Sequence, residues 1–275
     1  MAVPIRDLQA IAEALFTARR HARPLAGFPG QLPGSLEEAY RVQEEAIALG
    51  IALGGRRIRG WKVAGIHPDL RATYGAERMA GPVYADVVHD LPAGGRTRVT
   101  VIDGGFAALE AEFVARLGRD LVAGPDGFTA ELVLAAVASL HAGSEVASSP
   151  LARINEIGPI GVVCDHGNNA GAVVGPELPE WRTRPLESLT SQMLIDGVPV
   201  GSGSAALVMG GPLAAVKFLA ENLAARGRHL AKGDIVLTGM TTGIHAVRPG
   251  SRGRLVFSGV PDCELEVVAA SGYGT

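Results

Sequence analysis

The chain has 275 residues, 47% of them hydrophobic and 19% charged, which excludes an intrinsically disordered protein and gives enough apolar surface for a sizeable core. Its 25 Lys+Arg against 28 Asp+Glu leave a formal net charge of -3. No basic cluster is longer than Arg56, Arg57 and Arg59, so nucleic acid is not expected as a partner. Two cysteines, Cys164 and Cys263, make no disulfide framework, and no signal-peptide pattern or bilayer-spanning apolar run is present. The expectation is a cytoplasmic protein with no membrane partner.

In chain order, residues 1–58 read as a helical N-terminal section and 59–275 as a β-rich domain, an α+β organisation. Ile5, Leu8, Ile11, Leu15 and Phe16 keep the three-to-four spacing of one buried helical stripe. A Pro/Gly-rich break over 28–34 leads to Ser35 and Glu38, a capping box that starts a second helix running to Gly50. From Gly60 onward short runs are broken by Gly, Pro and Asp. Strands are predicted at Trp61–Ala64, Leu109–Leu117, Ile160–Cys164, Asp234–Thr238, Arg254–Phe257 and Glu264–Val268. Asp196-Gly197 supplies the positive φ angles of a two-residue hairpin turn. Helices are predicted at Thr129–Leu140 and at Pro212–Arg226, the latter with Gly227 just past its end.

Chemistry concentrates at Leu109-Glu110-Ala111-Glu112-Phe113. On a strand, Glu110 and Glu112 project to one face about 6–7 Å apart while their neighbours face the core. Two carboxylates so placed repel unless a positive group lies between them, and a hard divalent cation such as Mg²⁺ or Mn²⁺ suits oxygen ligands of this kind. The same spacing also describes a solvated strand face. Glu145 stands alone among small and apolar residues and needs a partner if it is buried. Lys62 lies in an apolar, glycine-flanked strand, either as a surface charge or as a partly buried acid/base. Asp165 opens the polar loop Asp165-His166-Gly167-Asn168-Asn169 after an apolar run, a place for function or for an Asx turn. Gly201-Ser-Gly-Ser follows a hairpin strand and lacks the βαβ context of a dinucleotide-binding loop. There is no nucleophile elbow, no P-loop lysine motif and no HxxxH pair.

Taken together, these segments resemble the 2-keto-4-pentenoate hydratase / 4-oxalocrotonate decarboxylase group of the fumarylacetoacetate hydrolase superfamily. Ala39-Tyr40-Arg41-Val42-Gln43 is similar to its A-Y-x-V-Q helix, and Gly60-Trp61-Lys62-Val63-Ala64-Gly65 to its G-Y-K-I-G strand. Residues 109–121 resemble its E-x-E-x-A-F-V-x-G-x-D-L segment, and 227–239 its G-x-x-L-x-x-G-D-I-V-L-T-G run. Glu145 falls on the glutamate of E-I-x-D-S-R, and Asp165 on the start of D-N-A-S-S. The resemblance implies a mixed, rolled β-sheet body, a homo-oligomer, and a metal triad of Glu110, Glu112 and Glu145 holding Mg²⁺ or Mn²⁺. It also implies Lys62 as a substrate-contacting acid/base. Asp165, His166 and Asn168 are then expected around the substrate, with Asp165 as a catalytic group ordering water or the substrate carboxylate. The small-molecule partner would be a 2-oxo or 2-hydroxydienoic acid, and the reaction hydration of 2-hydroxypenta-2,4-dienoate in meta-cleavage aromatic degradation.

The chain departs from the pattern in places. The acid of the family's P-D-x-G stretch has no counterpart in Arg78-Met79-Ala80-Gly81, and Glu145 is followed by Val-Ala-Ser-Ser-Pro instead of I-x-D-S-R. His67 and His166 are the candidates to replace the missing acid. The alternatives are decarboxylation of a 4-oxalocrotonate-type diacid, which needs a second carboxylate site, hydrolytic C–C cleavage, or a non-catalytic partner subunit.

Overall fold

The computed structural model describes residues 4–273. Helix α1 (Ile5–Arg20) buries Leu8, Ile11, Leu15 and Phe16, while Ile5 at its start is exposed. Helix α2 (Leu36–Gly54) starts where Ser35 Oγ accepts from the Glu38 amide at 3.2 Å. The Glu38 carboxylate reaches back to the Gly34 amide at 2.8 Å, one residue beyond the standard capping box. The helix passes through the expected stop at Gly50, a glycine that lies against Tyr84, whose hydroxyl would lie 3.3 Å from an added Cβ. It ends instead at Gly55, whose φ of 62° makes the left-handed cap.

The chain continues through β1 (Ile58–Gly65), α3 (Pro68–Tyr74), β2 (Arg78–Tyr84), β3 (Val88–Asp90), β4 (Arg96–Val101) and β5 (Phe106–Leu117). Next come α4 (Ala130–Ala136), β6 (Val137–Ser149), α5 (Ile154–Ile157), α6 (Pro159–Cys164) and β7 (Asn169–Glu177). The remainder is β8 (Thr190–Ile195), β9 (Val198–Ser204), α7 (Pro212–Ala224), β10 (Ile235–Met240), β11 (His245–Ala246), β12 (Arg252–Phe257) and β13 (Cys263–Ala269).

The strands form two mixed sheets. The larger runs β2-β1-β10-β5-β6-β7-β3, with β11 on β5, and the smaller runs β4-β13-β12-β8-β9. Alternation in β5 divides its residues: Leu109, Ala111 and Phe113 enter the main core, where Phe113 meets Phe257 of the smaller sheet edge-on at 5.2 Å, and the glutamates face the other way. Helices α1 and α2 bury their stripes against each other and against Leu151, Ile154, Ile160 and Val163. The helical section is thereby packed onto the segment that leads into the Asp165 loop. Among the described residues no helix is long and apolar enough to cross a membrane.

Two further sequence expectations are corrected. Residues 160–164 are not a strand but the buried helix α6, with Pro159 in its first turn. An unbroken apolar run of that length has no periodicity to tell the two apart. The helix predicted over 129–140 stops at Ala136, because residues 137–140 are taken into pairing with β5, from Leu117↔Val137 to Ala115↔Leu140. The Asp196-Gly197 hairpin forms as expected, with φ of 51° and 81°.

Candidate active site and metal centre

Antiparallel pairing of β5 with β6 sets Glu110 directly opposite Glu145, on the face away from the main core, with Glu112 two residues along. One carboxylate oxygen from each of the three lies within 4.8 Å of the other two, and all three side chains are buried. Lys62 comes from β1, across β10. The β10 ladder breaks its register between Leu237 and Met240, and at this irregularity the Gly239 amide donates to Glu112 Oε2 at 2.8 Å. Lys62 Nζ lies 3.0 Å from Glu145 Oε2. On its other oxygen Glu145 accepts from Asn169 Nδ2 at 2.9 Å.

The electrostatics follow from burial and crowding. Burial, then the Glu145 charge, pushes Glu110 up to about 8 against the relief given by Lys62. Burial and the two neighbouring carboxylates raise Glu112 well above the usual carboxylate range, opposed by Lys62 and the Gly239 amide. Burial works against a charge on Lys62, but Glu145, Glu110 and Glu112 outweigh it and raise its pKa. One ammonium beside three carboxylates leaves an excess of negative charge in a buried place. That imbalance and the all-oxygen donor set fit a hard divalent cation, which Glu110, Glu112 and Glu145 are placed to hold.

A cavity of about 90 Å³ opens beside the cluster, lined by Lys62, Glu110 and Glu112 with the amides Asn155 and Asn168. Its apolar wall is Met79, Val162, Met240 and Ile244. Asn168 is held there by an unusual backbone: His166, Gly167 and Asn168 all have positive φ, at 57°, 68° and 56°. Its Oδ1 is buried with no protein partner.

Of the residues expected around the substrate, the structure brings Lys62, the three glutamates and Asn168 together and leaves two elsewhere. Asp165 does not face the cavity: both its oxygens are taken by Arg19 of α1, through Nε and, at 2.8 Å, Nη2. It anchors the loop. His166 points to the opposite side, where it meets Tyr84 edge-on at 5.5 Å and lines a separate small cavity with Arg19 and Arg56. Burial, reinforced by the two arginines, keeps it neutral. His67 is an exposed helix cap beside Asp69, so neither histidine stands in for the missing acid. Met79 occupies that place on the cavity wall. Sequence reasoning missed Asn155, Asn169 and Arg19. The Asn168-Asn169 pair in a glycine-broken loop was the available signal for Asn169, whereas nothing in α1 distinguished Arg19 from its charged neighbours.

The chain is similar to several known proteins. The 2-keto-4-pentenoate hydratase of Paraburkholderia xenovorans (strain LB400) is 27% identical over 256 residues, 93% of each chain. The TodF product hydratase of Pseudomonas putida is 30% identical over 206 residues, 74% of each chain. Among solved structures, 4-oxalocrotonate decarboxylase from Pseudomonas putida G7, complexed with magnesium and adipate, matches with a TM-score of 0.78 at 25% identity, covering 97% of this chain and 99% of that one. The family model for the fumarylacetoacetate (FAA) hydrolase C-terminal region spans residues 91–268, which include all three clustered glutamates, and the chain belongs to that family.

Proposed function

We propose that this chain is a divalent-metal-dependent hydro-lyase that adds water to a 2-hydroxy-2,4-dienoate, of the 2-hydroxypenta-2,4-dienoate type, to give a 4-hydroxy-2-oxo acid. Membership of the hydratase/decarboxylase group, with hydratase-named relatives matching along most of the chain, supports an enzyme of this kind. The observation that supports hydration of a monocarboxylate is the cavity lining. Apart from Lys62, which is engaged by the carboxylates, no cationic side chain lines it among the described residues, and its remaining wall is largely apolar. A diacid would place its second carboxylate against methionine, valine or isoleucine, an expensive desolvation without a partner.

A cation held by Glu110, Glu112 and Glu145 would act as a Lewis acid toward the carboxylate and 2-oxygen of the substrate, stabilising the negative charge that develops there. The proton movements belong to the chain. The 2-hydroxyl gives up its proton and C5 gains one, which yields the conjugated 2-oxo-3-enoate. Lys62 Nζ, kept protonated by its carboxylate neighbours, is the group that donates and recovers protons on this path. Water then adds at C4, which the ketone has made electrophilic, and C3 takes up a proton. The free Oδ1 of Asn168 and the amide of Asn155 are placed to order that water. Asp165, locked by Arg19, has no part in these transfers.

The test is consumption of enzymatically generated 2-hydroxypenta-2,4-dienoate, followed by its ultraviolet absorbance, with Mg²⁺ or Mn²⁺ and again with excess EDTA. Metal-dependent loss yielding 4-hydroxy-2-oxopentanoate is expected. No turnover with metal bound, together with carbon dioxide release from a 4-oxalocrotonate-type diacid, would favour the decarboxylase reading, to which the magnesium- and adipate-bound neighbour lends support.

A further inference from the structure

The metal-ligand candidates lie on β5 and β6, yet one of them is tied to the N-terminal helix through two buried steps. Arg19 is only 8% exposed, and its guanidinium is spent entirely on one loop and the strand beside it. It grips Asp165 through both carboxylate oxygens and the Asp165 carbonyl (3.0 Å), the Ser148 carbonyl through Nη2 (2.8 Å), and the Asn169 carbonyl through Nη1 (2.8 Å). The residue whose carbonyl is gripped is the residue whose side chain reaches Glu145. Asn169 Nδ2 donates to Glu145 Oε1 at 2.9 Å and, with the Gly171 carbonyl at 3.1 Å, is fixed in orientation. Between Asp165 and Asn169 the backbone turns through three successive left-handed residues, two of them not glycine. A turn of that kind is strained and persists only when its ends are over-determined. Arg19 provides the over-determination by joining the Asp165 and Asn169 ends across the turn.

We propose that Asn169 and Arg19 are positioning residues for the metal centre: Asn169 fixes the rotamer of Glu145, and Arg19 fixes Asn169. This rests on the reading of Glu110, Glu112 and Glu145 as cation ligands. Under it, the single oxygen of Glu145 that does not face Lys62 is aimed by a donor supported from α1, and the helical section becomes part of the support of the site. Outer donors of this type change metal affinity by about 10–100-fold when removed, because a ligand free to rotate must be ordered at the moment of binding. An arginine fork is needed at the far step, since the three donors of a compact lysine ammonium do not replace the five hydrogen bonds that the guanidinium makes.

The experiment is an Mn²⁺ titration of the full-length protein, reading free Mn²⁺ by its electron paramagnetic resonance signal, with thermal unfolding in EDTA measured in parallel. Asn169→Val removes the donor to Glu145 and is expected to weaken Mn²⁺ binding by about 10–100-fold. Arg19→Lys keeps the charge opposite Asp165 and is expected to weaken binding in the same direction, by roughly tenfold, although the metal-free protein still unfolds cooperatively. A merely structural role would lower the unfolding temperature in EDTA and leave Mn²⁺ affinity untouched. Folded variants that bind Mn²⁺ within twofold of the parent would overturn the relay. A parent protein that binds no Mn²⁺ would overturn the metal-centre reading itself, a different and separable result. If Arg19→Lys does not fold, Asn169→Val decides alone.

Discussion

The three carboxylates are held unequally, and that inequality predicts different consequences for each. Glu112 accepts from a backbone amide, and Glu145 accepts from an asparagine and forms an ion pair with Lys62, whereas Glu110 has no hydrogen-bond donor among the described residues. Glu110→Gln therefore removes a buried charge that no hydrogen bond supports and that Lys62 only partly offsets. In EDTA at about pH 8.5 this variant is expected to unfold at a higher temperature than the parent, by roughly 2–4 °C for each kcal/mol recovered, and to lose Mn²⁺ binding. Lys62→Met has the reverse profile. Removing the ammonium that pairs with the cluster lowers metal-free stability, because an uncompensated buried charge is strongly unfavourable. It also abolishes proton transfer, with turnover expected to fall by about 10²–10⁴-fold while Mn²⁺ still binds. Steady-state kinetics and calorimetric scans of the two variants check both statements, and a Lys62→Met enzyme with unchanged turnover would remove Lys62 from the mechanism.

At the scale of elements, the left-handed turn depends on a close approach from β2. A Cβ on Gly81 would lie 2.1 Å from the His166 carbonyl oxygen and 2.7 Å from the Gly167 nitrogen, both backbone atoms that cannot step aside. Gly81→Ala is expected to cost about 1–3 kcal/mol, as overpacking does, and to lower turnover with it, because the displaced turn carries Asn168. Denaturant unfolding beside kinetics tests this, and an alanine variant of parental stability would show that the turn yields. The elements differ in how far they could be read from the chain. Strand β5 was legible because alternation of large apolar and acidic residues leaves one assignment. Helix α6 was not, since six apolar residues in a row fit either a buried strand or a buried helix. Glu110 and Glu112 announced themselves by spacing, but Glu145 becomes their partner only through a register between strands 35 positions apart. Asp165 misled for the same reason: its partner Arg19 lies 146 residues away, and no local pattern reveals a contact of that range.

Across the whole molecule, the cluster links stability to pH and to metal. Glu110 titrates at about 8 in the metal-free fold against an ordinary 4.5. Its contribution is therefore fully present below the ordinary value and is lost as pH rises through 8. Metal-free protein is expected to lose unfolding temperature between about pH 4.5 and pH 8, and the gain from saturating Mn²⁺ is expected to grow over the same interval as the cation displaces bound protons. At a hundredfold excess over Kd the ligand term is about 2.7 kcal/mol, large enough to read in a thermal scan. A metal-induced gain independent of pH would argue against these carboxylates as the ligands.

The pairing of β5 with β6 also bears on how the molecule comes to be folded. Glu110 and Glu145 meet in a hairpin-like pair whose strands are joined by a modest loop and α4. Lys62 enters the same sheet only through β10, which pairs Gly60 with Ile235, a separation of 175 residues. Long-range parallel pairing of this kind forms late, because the entropy of closing so long a loop must be met before the contacts reward it. During synthesis the β5–β6 pair thus emerges before β10 and before its lysine is in place, carrying three mutually repelling carboxylates. A divalent ion encountered at that stage would favour the nascent pair, and refolding in the presence of Mn²⁺ would then run faster than in EDTA, not merely end at a more stable product.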